Sequence, residues 1–362
     1  MLNAAIWGSG FIAGTHVEAL RSSNVNIAAV VSRTLEGSCA FAEKWGIPRW
    51  SDDPSILFDE NIHCVHVCTP PNLHYEMVKT LLEHGKHVIC EKPLCFENEQ
   101  AIELAALAKE KGLVCAVNFN VRYHDACLKA KELVEKAGFG RVLLVHGSYL
   151  QEFGALPAWA DWRYNEKLAG KMHAVTEIGS HWLDIAQHIS GKKLSAVSAS
   201  FGCFYPERWL EDGMMYAEKA DGRSAMQVRS EDAAVISLRF SDGAIGAVTL
   251  SEISQGRYNY LSLEVTGENS TLWWNSESNN LLFSARKGGE LNSHVFAFGN
   301  GFNDTFRRLA ADVYTDIAVG CPRENPSYPD FACGRDSVIL LNAIYDSAMN
   351  NAAWVSVESE EE

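Results

Sequence analysis

The sequence predicts an α/β protein: a doubly wound parallel sheet at the N-terminus, then a second, strand-rich domain. Three observations carry this. Apolar strand patterns alternate with helix-length patterns through about residue 122. The first strand runs into Gly8-Ser9-Gly10-Phe11-Ile12-Ala13 and then a helix. After Arg122 long strands dominate, and several alternate as in an antiparallel sheet with one covered face. The chain is therefore divided into 1–122 and 123–362, as its 362 residues also favour.

Each element has a local reason. A strand is predicted over 2–7 and a helix from the glycine turn to about residue 20. In G-x-G-x-x-A, Gly8 allows the tight turn, Gly10 lets backbone approach a pyrophosphate, and Ala13 permits close helix–strand packing. The helix N-terminus offers amide donors to phosphate. The second strand, 25–31, ends at Ser32-Arg33-Thr34. No acid stands there to meet a ribose 2′-hydroxyl, so the reading leans slightly to NADP over NAD. A helix over 35–45 follows, then a strand over 63–68 ending in Thr69-Pro70-Pro71-Asn72-Leu73-His74. Helices over 75–84 and 97–111 flank a buried strand over 87–90, and a strand over 113–119 closes the series. In the second half, helices are predicted over 125–136, 303–319 and 334–350. Strands are predicted over 141–151, 195–204, 233–240, 244–253, 258–266, 270–275, 280–285 and 293–297. Asp242-Gly243 is a hairpin turn.

Composition removes several function classes. Hydrophobic content of 47% supports a full core, and no apolar run reaches the length of a membrane span. A net charge of -15 argues against nucleic acid, because nothing would neutralise phosphates. Glu358-Ser359-Glu360-Glu361-Glu362 reads as a disordered acidic tail. Met1-Leu2-Asn3-Ala4-Ala5-Ile6 lacks a basic n-region, and the ten cysteines form no C-x-x-C pair. They are read as reduced thiols of a cytoplasmic protein. His63, Cys64, His66 and Cys68 crowd one strand. Strand alternation separates His63 from the other three, so no metal is expected.

The run Cys90-Glu91-Lys92-Pro93 is the first chemical focus. Lys92 sits at the carboxyl end of a buried parallel strand, the edge where such sheets bind ligands, and Pro93 stops the ladder. The second focus is Glu177-Ile178-Gly179-Ser180-His181-Trp182-Leu183-Asp184. On a helix Glu177 and His181 are spaced i, i+4 and share a face.

Taken in order, G-x-G-x-x-A, Thr69-Pro70-Pro71-Asn72-Leu73-His74, Glu91-Lys92-Pro93, Trp162-Arg163 and Glu177 to Asp184 resemble the Gfo/Idh/MocA oxidoreductases across nearly the whole chain. The resemblance implies an N-terminal Rossmann domain and a C-terminal α+β domain with a large open, mostly antiparallel sheet that supports a homo-oligomer. It implies hydride transfer between a tightly held NAD or NADP and a carbon bearing a sugar or cyclitol hydroxyl. By resemblance Gly8, Gly10, Phe11 and Ile12 hold the pyrophosphate, and Ser32 and Arg33 meet the adenosine ribose. Thr69, Pro70, Asn72 and His74 line the dinucleotide. Glu91, Lys92 and Asn120 flank its nicotinamide half, with Trp162 and Arg163 arriving from the second domain. Two departures stand out. Glu177 occupies a position where relatives often carry aspartate, and Lys171-Met172-His173 replaces a stretch that is often glycine-rich.

The chemistry needs a proton acceptor as well as the cofactor. Histidine ordinarily titrates near neutrality, so His181 suits a base; Lys92 can polarise the reacting oxygen or take the proton itself. The sequence leaves both open. Glu177 orients the hydroxyl or the imidazole, while Trp162 and Tyr164 offer faces to a sugar ring. The expected reaction is oxidation of a pyranose ring hydroxyl, with the C3 position of a glycoside as the best guess. The alternatives are a glycoside-cleaving hydrolase or lyase working through transient oxidation, and a non-catalytic dinucleotide sensor.

Overall fold

The structure, a computed structural model, describes residues 1–298 and 301–357. It forms two compact units, residues 1–123 with 301–338 and residues 124–298 with 339–357. The acidic tail 358–362 lies outside the described residues.

The first unit opens with β1 (Asn3–Trp7), α1 (Phe11–Ser22), β2 (Asn26–Val31), α2 (Leu35–Trp45) and β3 (Trp50–Ser51). It continues through β4 (Cys64–Val67), α3 (His74–Glu83), β5 (His87–Cys90), α4 (Asn98–Glu110) and β6 (Cys115–Val117). The strands pair in parallel in the order β3-β2-β1-β4-β5-β6. Chain direction across the sheet reverses between β1 and β4, which makes the carboxyl ends of these strands the ligand edge. Alternation sends Ala4 and Ile6 to one core and Ala5 and Trp7 to the other. β3 escaped the sequence reading because two residues carry no periodicity.

The second unit begins with α5 (Asp125–Val134), β7 (Val142–Leu150), β8 (Ala158–Trp159) and α6 (Glu166–Ala169). A π-helical turn, Val175–Gly179, runs straight into α7 (Ser180–Ser190). Then come β9 (Leu194–Gly202), β10 (Glu207–Glu211), β11 (Met214–Tyr216), β12 (Ser224–Gln227), β13 (Ala233–Phe240) and β14 (Ile245–Ser251). They are followed by β15 (Tyr260–Gly267), β16 (Ser270–Asn275), β17 (Leu281–Arg286) and β18 (Leu291–Val295). α8 (Phe302–Val319), α9 (Phe331–Met349) and β19 (Val355–Ser356) end the described chain.

The large sheet has the order β18-β17-β16-β15-β7-β14-β13-β9-β19. Its pairings are antiparallel except β14 with β7. Gly243, at φ +90°, makes the hairpin between β13 and β14. On β13, Ala234, Ile236 and Leu238 are buried while Val235, Ser237 and Arg239 are exposed, so one face is covered and the other open. A separate sheet, β12-β10-β11-β8, was not read from the sequence. Its strands are only two to five residues long, and none alternates over enough residues to register.

α8 does not join the unit that precedes it. Phe306, Leu309, Val313 and Ile317 share one helical face, and with Tyr314 they enter the core built by β1 and α1. The boundary read at residue 122 is thus crossed again when residues 301–338 return to the first unit. No helix among the described residues is long and apolar enough to cross a membrane.

Candidate active site

The glycine turn is built for a ligand with no room for side chains. Gly8 has φ +125°, and a Cβ there would lie 2.5 Å from the Cys68 carbonyl oxygen. Gly10 is the N-cap of α1, and a Cβ there would meet nothing within 4 Å. The first turn of α1 has neither a side-chain cap nor an acidic residue, so its amides face open space with a favourable dipole. Phe11 is exposed, Ile12 is half-buried, and Ala13 is fully buried. This cradle fits the pyrophosphate of a dinucleotide.

The next strand ends are more varied than the motifs suggest. Ser32 is buried and its hydroxyl donates to the Thr34 carbonyl, while Arg33 beside it is exposed. Thr69 and Pro70 are half-buried and Asn72 is exposed. His74 is fully buried, with Nδ1 2.8 Å from the Pro93 carbonyl and Nε2 2.9 Å from that of Thr69. It braces two loops of the ligand edge to each other. Asn120 is also buried, and its amide donates to Thr305 Oγ1 on α8 at 2.7 Å.

Glu91 and Lys92 leave β5 together. The Glu91 carboxylate accepts from the Asn118 amide at 2.6 Å and from His16 Nε2 at 2.9 Å. Burial pushes this carboxyl up, but those hydrogen bonds and the Lys92 charge outweigh it and hold the group below its ordinary value. Neither Asn118 nor His16 was singled out in the sequence. An asparagine just past a strand and a histidine inside a helix carry no signal of their own.

In the second unit, every residue from Met172 to Ala186 is buried except Glu177 and His181, which are half-buried. The packing explains this selection. A Cβ on Gly179 would lie 2.6 Å from Leu250 Cδ1, so the turn presses against β14 with no side chain between. Trp182 is fully buried and donates from Nε1 to the Ser262 carbonyl at 2.8 Å, which fixes the rotation of α7. Glu177 lies on the π-helical turn and His181 on α7, so the predicted shared face is interrupted by a wider turn.

Arg163, expected at the cofactor, is held between two carboxylates of its own unit. Its Nε donates to Glu177 at 2.9 Å, and its terminal nitrogen reaches Asp161 at 2.9 Å. The guanidinium lies 4.7 Å over the Trp162 ring. Tyr164 stacks on His173 and lies 4.0 Å from the Arg208 guanidinium, so its ring already has two partners. Arg208 and Asp232 form a fully buried pair at 2.5 Å. Beside them Glu231 Oε1 accepts the His173 and Val175 amides, holding the start of the π-helical turn. Its Oε2 is buried without a partner. Burial pushes the Glu231 carboxyl up to about 7, and burial lowers His173 to about 4.

Comparison with known proteins decides the family. Residues 2–119 match the model of an oxidoreductase family with an NAD-binding Rossmann fold, and residues 127–273 match the Gfo/Idh/MocA C-terminal domain. The chain belongs to the Gfo/Idh/MocA oxidoreductase family. Levoglucosan dehydrogenase of Pseudarthrobacter phenanthrenivorans is 29% identical over 98% of each chain. A solved complex of levoglucosan dehydrogenase with NADH and levoglucosan matches at TM-score 0.89 and 28% identity, covering 99% of both chains. The D-glucoside 3-dehydrogenase of Escherichia coli is 32% identical over 52% of this chain and 54% of its own. As a Gfo/Idh/MocA oxidoreductase the chain uses a nicotinamide dinucleotide, which the uncapped α1 cradle fits.

Proposed function

We propose that this protein is an NAD(P)-dependent dehydrogenase of a pyranose whose anomeric oxygen is locked in an acetal. Levoglucosan and glucosides share that chemistry, so a ring hydroxyl, with C3 first, is the carbon to oxidise. The observation that supports this best is the match over the full length to levoglucosan dehydrogenase bound to NADH and its sugar. When bound, the nicotinamide supplies the hydride acceptor. Lys92 and His181 serve the reacting hydroxyl, one taking its proton and the other stabilising the oxygen as charge develops. Glu177 orients the hydroxyl or the imidazole. Its carboxylate is held by Arg163, which Asp161 holds in turn. In favour of these roles, Glu177 and His181 alone keep solvent access in an otherwise buried segment.

The purified protein should be offered levoglucosan, alkyl glucosides and inositols with NAD or NADP. Reduced cofactor should appear together with a keto sugar of the same carbon skeleton. Release of an aglycone would replace this reading with glycoside cleavage. Binding of the dinucleotide without turnover of any of these compounds would replace it with sensing.

The open face of the large sheet also exposes Val235 and Ile245. We propose that a second copy covers it, making a cytoplasmic homo-oligomer. A monomeric mass by light scattering would remove the oligomer, and recovery in an exported fraction would remove the compartment.

A further inference from the structure

The Glu91 carboxylate ends a buried row of polar side chains drawn from several elements of the first unit. His16 on α1, His66 on β4 and Tyr314 on α8 are 3%, 1% and 5% exposed. Glu91 meets His16 Nε2, His16 Nδ1 lies 2.7 Å from His66 Nδ1, and His66 Nε2 lies 3.0 Å from the Tyr314 hydroxyl. Beyond Tyr314 stands the buried Cys64 thiol.

With each imidazole carrying a single proton, the order of protons in this row follows from elementary accounting. Two imidazole nitrogens in contact share one proton, so one donates and the other accepts. The Asn118 amide already donates to Glu91 Oε1, which marks that oxygen as an acceptor. His16 therefore donates from Nε2 and accepts at Nδ1. His66 must donate from Nδ1, and its Nε2 then accepts the Tyr314 hydroxyl. Every proton points toward Glu91. Burial holds His66 well below the ordinary histidine value, as a neutral ring requires.

We propose that His16 is a positioning residue for Lys92: locked as the Nε2–H tautomer by His66 and Tyr314, it fixes the Glu91 carboxylate and thereby the lysine that follows. A histidine tautomer set by the partner of its other nitrogen is a general device for orienting a functional group. The inference rests on the assignment of Lys92 to catalysis.

Two kinds of measurement test it. Nitrogen-15 spectra of the imidazoles should show His16 as Nε2–H and His66 as Nδ1–H. A charged His16, or the opposite tautomer, would overturn the proposal without any activity assay. On the best substrate of the panel above, His16→Leu should lower kcat by about 10–100-fold, the usual loss for an orienting partner, while KM and cofactor affinity stay near normal. His16→Gln keeps an amide donor for Glu91 and a carbonyl acceptor for His66, and should recover most of the turnover. Tyr314→Phe should show a smaller loss of the same kind. A merely structural role would lower Tm in His16→Leu and leave kcat alone. Lys92→Met separates the two readings. If it stays active, the assignment of Lys92 falls. If it is inactive while folded His16→Leu and Tyr314→Phe both turn over normally, only the positioning role falls.

Discussion

The end of β5 in the first unit and the loop before β13 in the second each bury a glutamate, and the two reach opposite states. Glu91 accepts two hydrogen bonds, and so does Glu231. Burial pushes both carboxyls up. The first difference is the donor: side chains of His16 and Asn118 lower Glu91, while Glu231 has only backbone amides against its burial. The nearest charge adds to it. Lys92 adjoins Glu91 and helps bring it below its ordinary value, whereas Asp232 adjoins Glu231 and adds to the rise to about 7. Counting donors therefore does not predict the state of a buried carboxyl; burial and the kind of donor weigh most, and the sign of the neighbouring charge adds to them. Asp232 itself is paired with Arg208.

The strongest way to break this comparison is to remove the cation of the first unit. Lys92→Met should reduce turnover by about 10²–10⁴-fold, the range of general acid–base catalysis, and should raise the Glu91 carboxyl. Steady-state kinetics and carboxyl titration by NMR read the two effects. Next is the cation of the second unit. Arg208→Met leaves Asp232 buried with only the Phe204 and Tyr205 amides, and should destabilise by about 3–5 kcal/mol in denaturant unfolding. Adding Asp232→Asn should recover part of that loss, since no buried charge is then stranded.

A smaller effect depends on pH. The folded Glu231 carboxyl binds its proton more tightly than the unfolded one does. Between about pH 4.5 and 7 the folded state thus holds more protons, and stability falls as pH rises. Glu231→Gln should match the wild type at low pH and exceed it by up to about 3 kcal/mol at pH 8, seen as a Tm gap that widens with pH. His173 runs the other way. Its folded value of about 4 lies below the unfolded one near 6.5, so its contribution is present at neutral pH and is lost as pH falls through that window. Smallest is Arg33→Ala, which should weaken NADP by roughly three- to ten-fold through loss of one exposed contact and leave NAD nearly unchanged. Equal losses by calorimetry would assign Arg33 to the adenine ring.

What the sequence revealed depended on whether the cause was local. The helix Leu35–Trp45 and the strands His87–Cys90, Ala233–Phe240 and Ser270–Asn275 appear where their patterns put them, because periodicity and flanking turn residues are contained in a few neighbours. Gly8, Gly10, Lys92, Glu177 and His181 were legible as motifs for the same reason. The partnership of His66 with Tyr314, 248 positions apart, has no local trace. Nor has the tie between Asn120 and Thr305, or the π-helical turn beneath Glu177, which differs from an α-helix only in its hydrogen bonding. Arg163 shows a further limit: the motif singled it out, but only the fold reveals that it grips Glu177.

The return of α8 to the first unit has a consequence for synthesis. The sheet of that unit leaves the ribosome early, but Phe306, Leu309 and Val313, which complete one of its two cores, do not yet exist. Roughly 180 further residues must be translated first, about 10–35 s at ordinary elongation rates. For that interval the nascent chain carries an apolar surface on α1 and β1 whose lid is still being made. A truncation at Tyr123 would make that interval permanent, so the Rossmann sheet is a unit of architecture but not of vectorial folding.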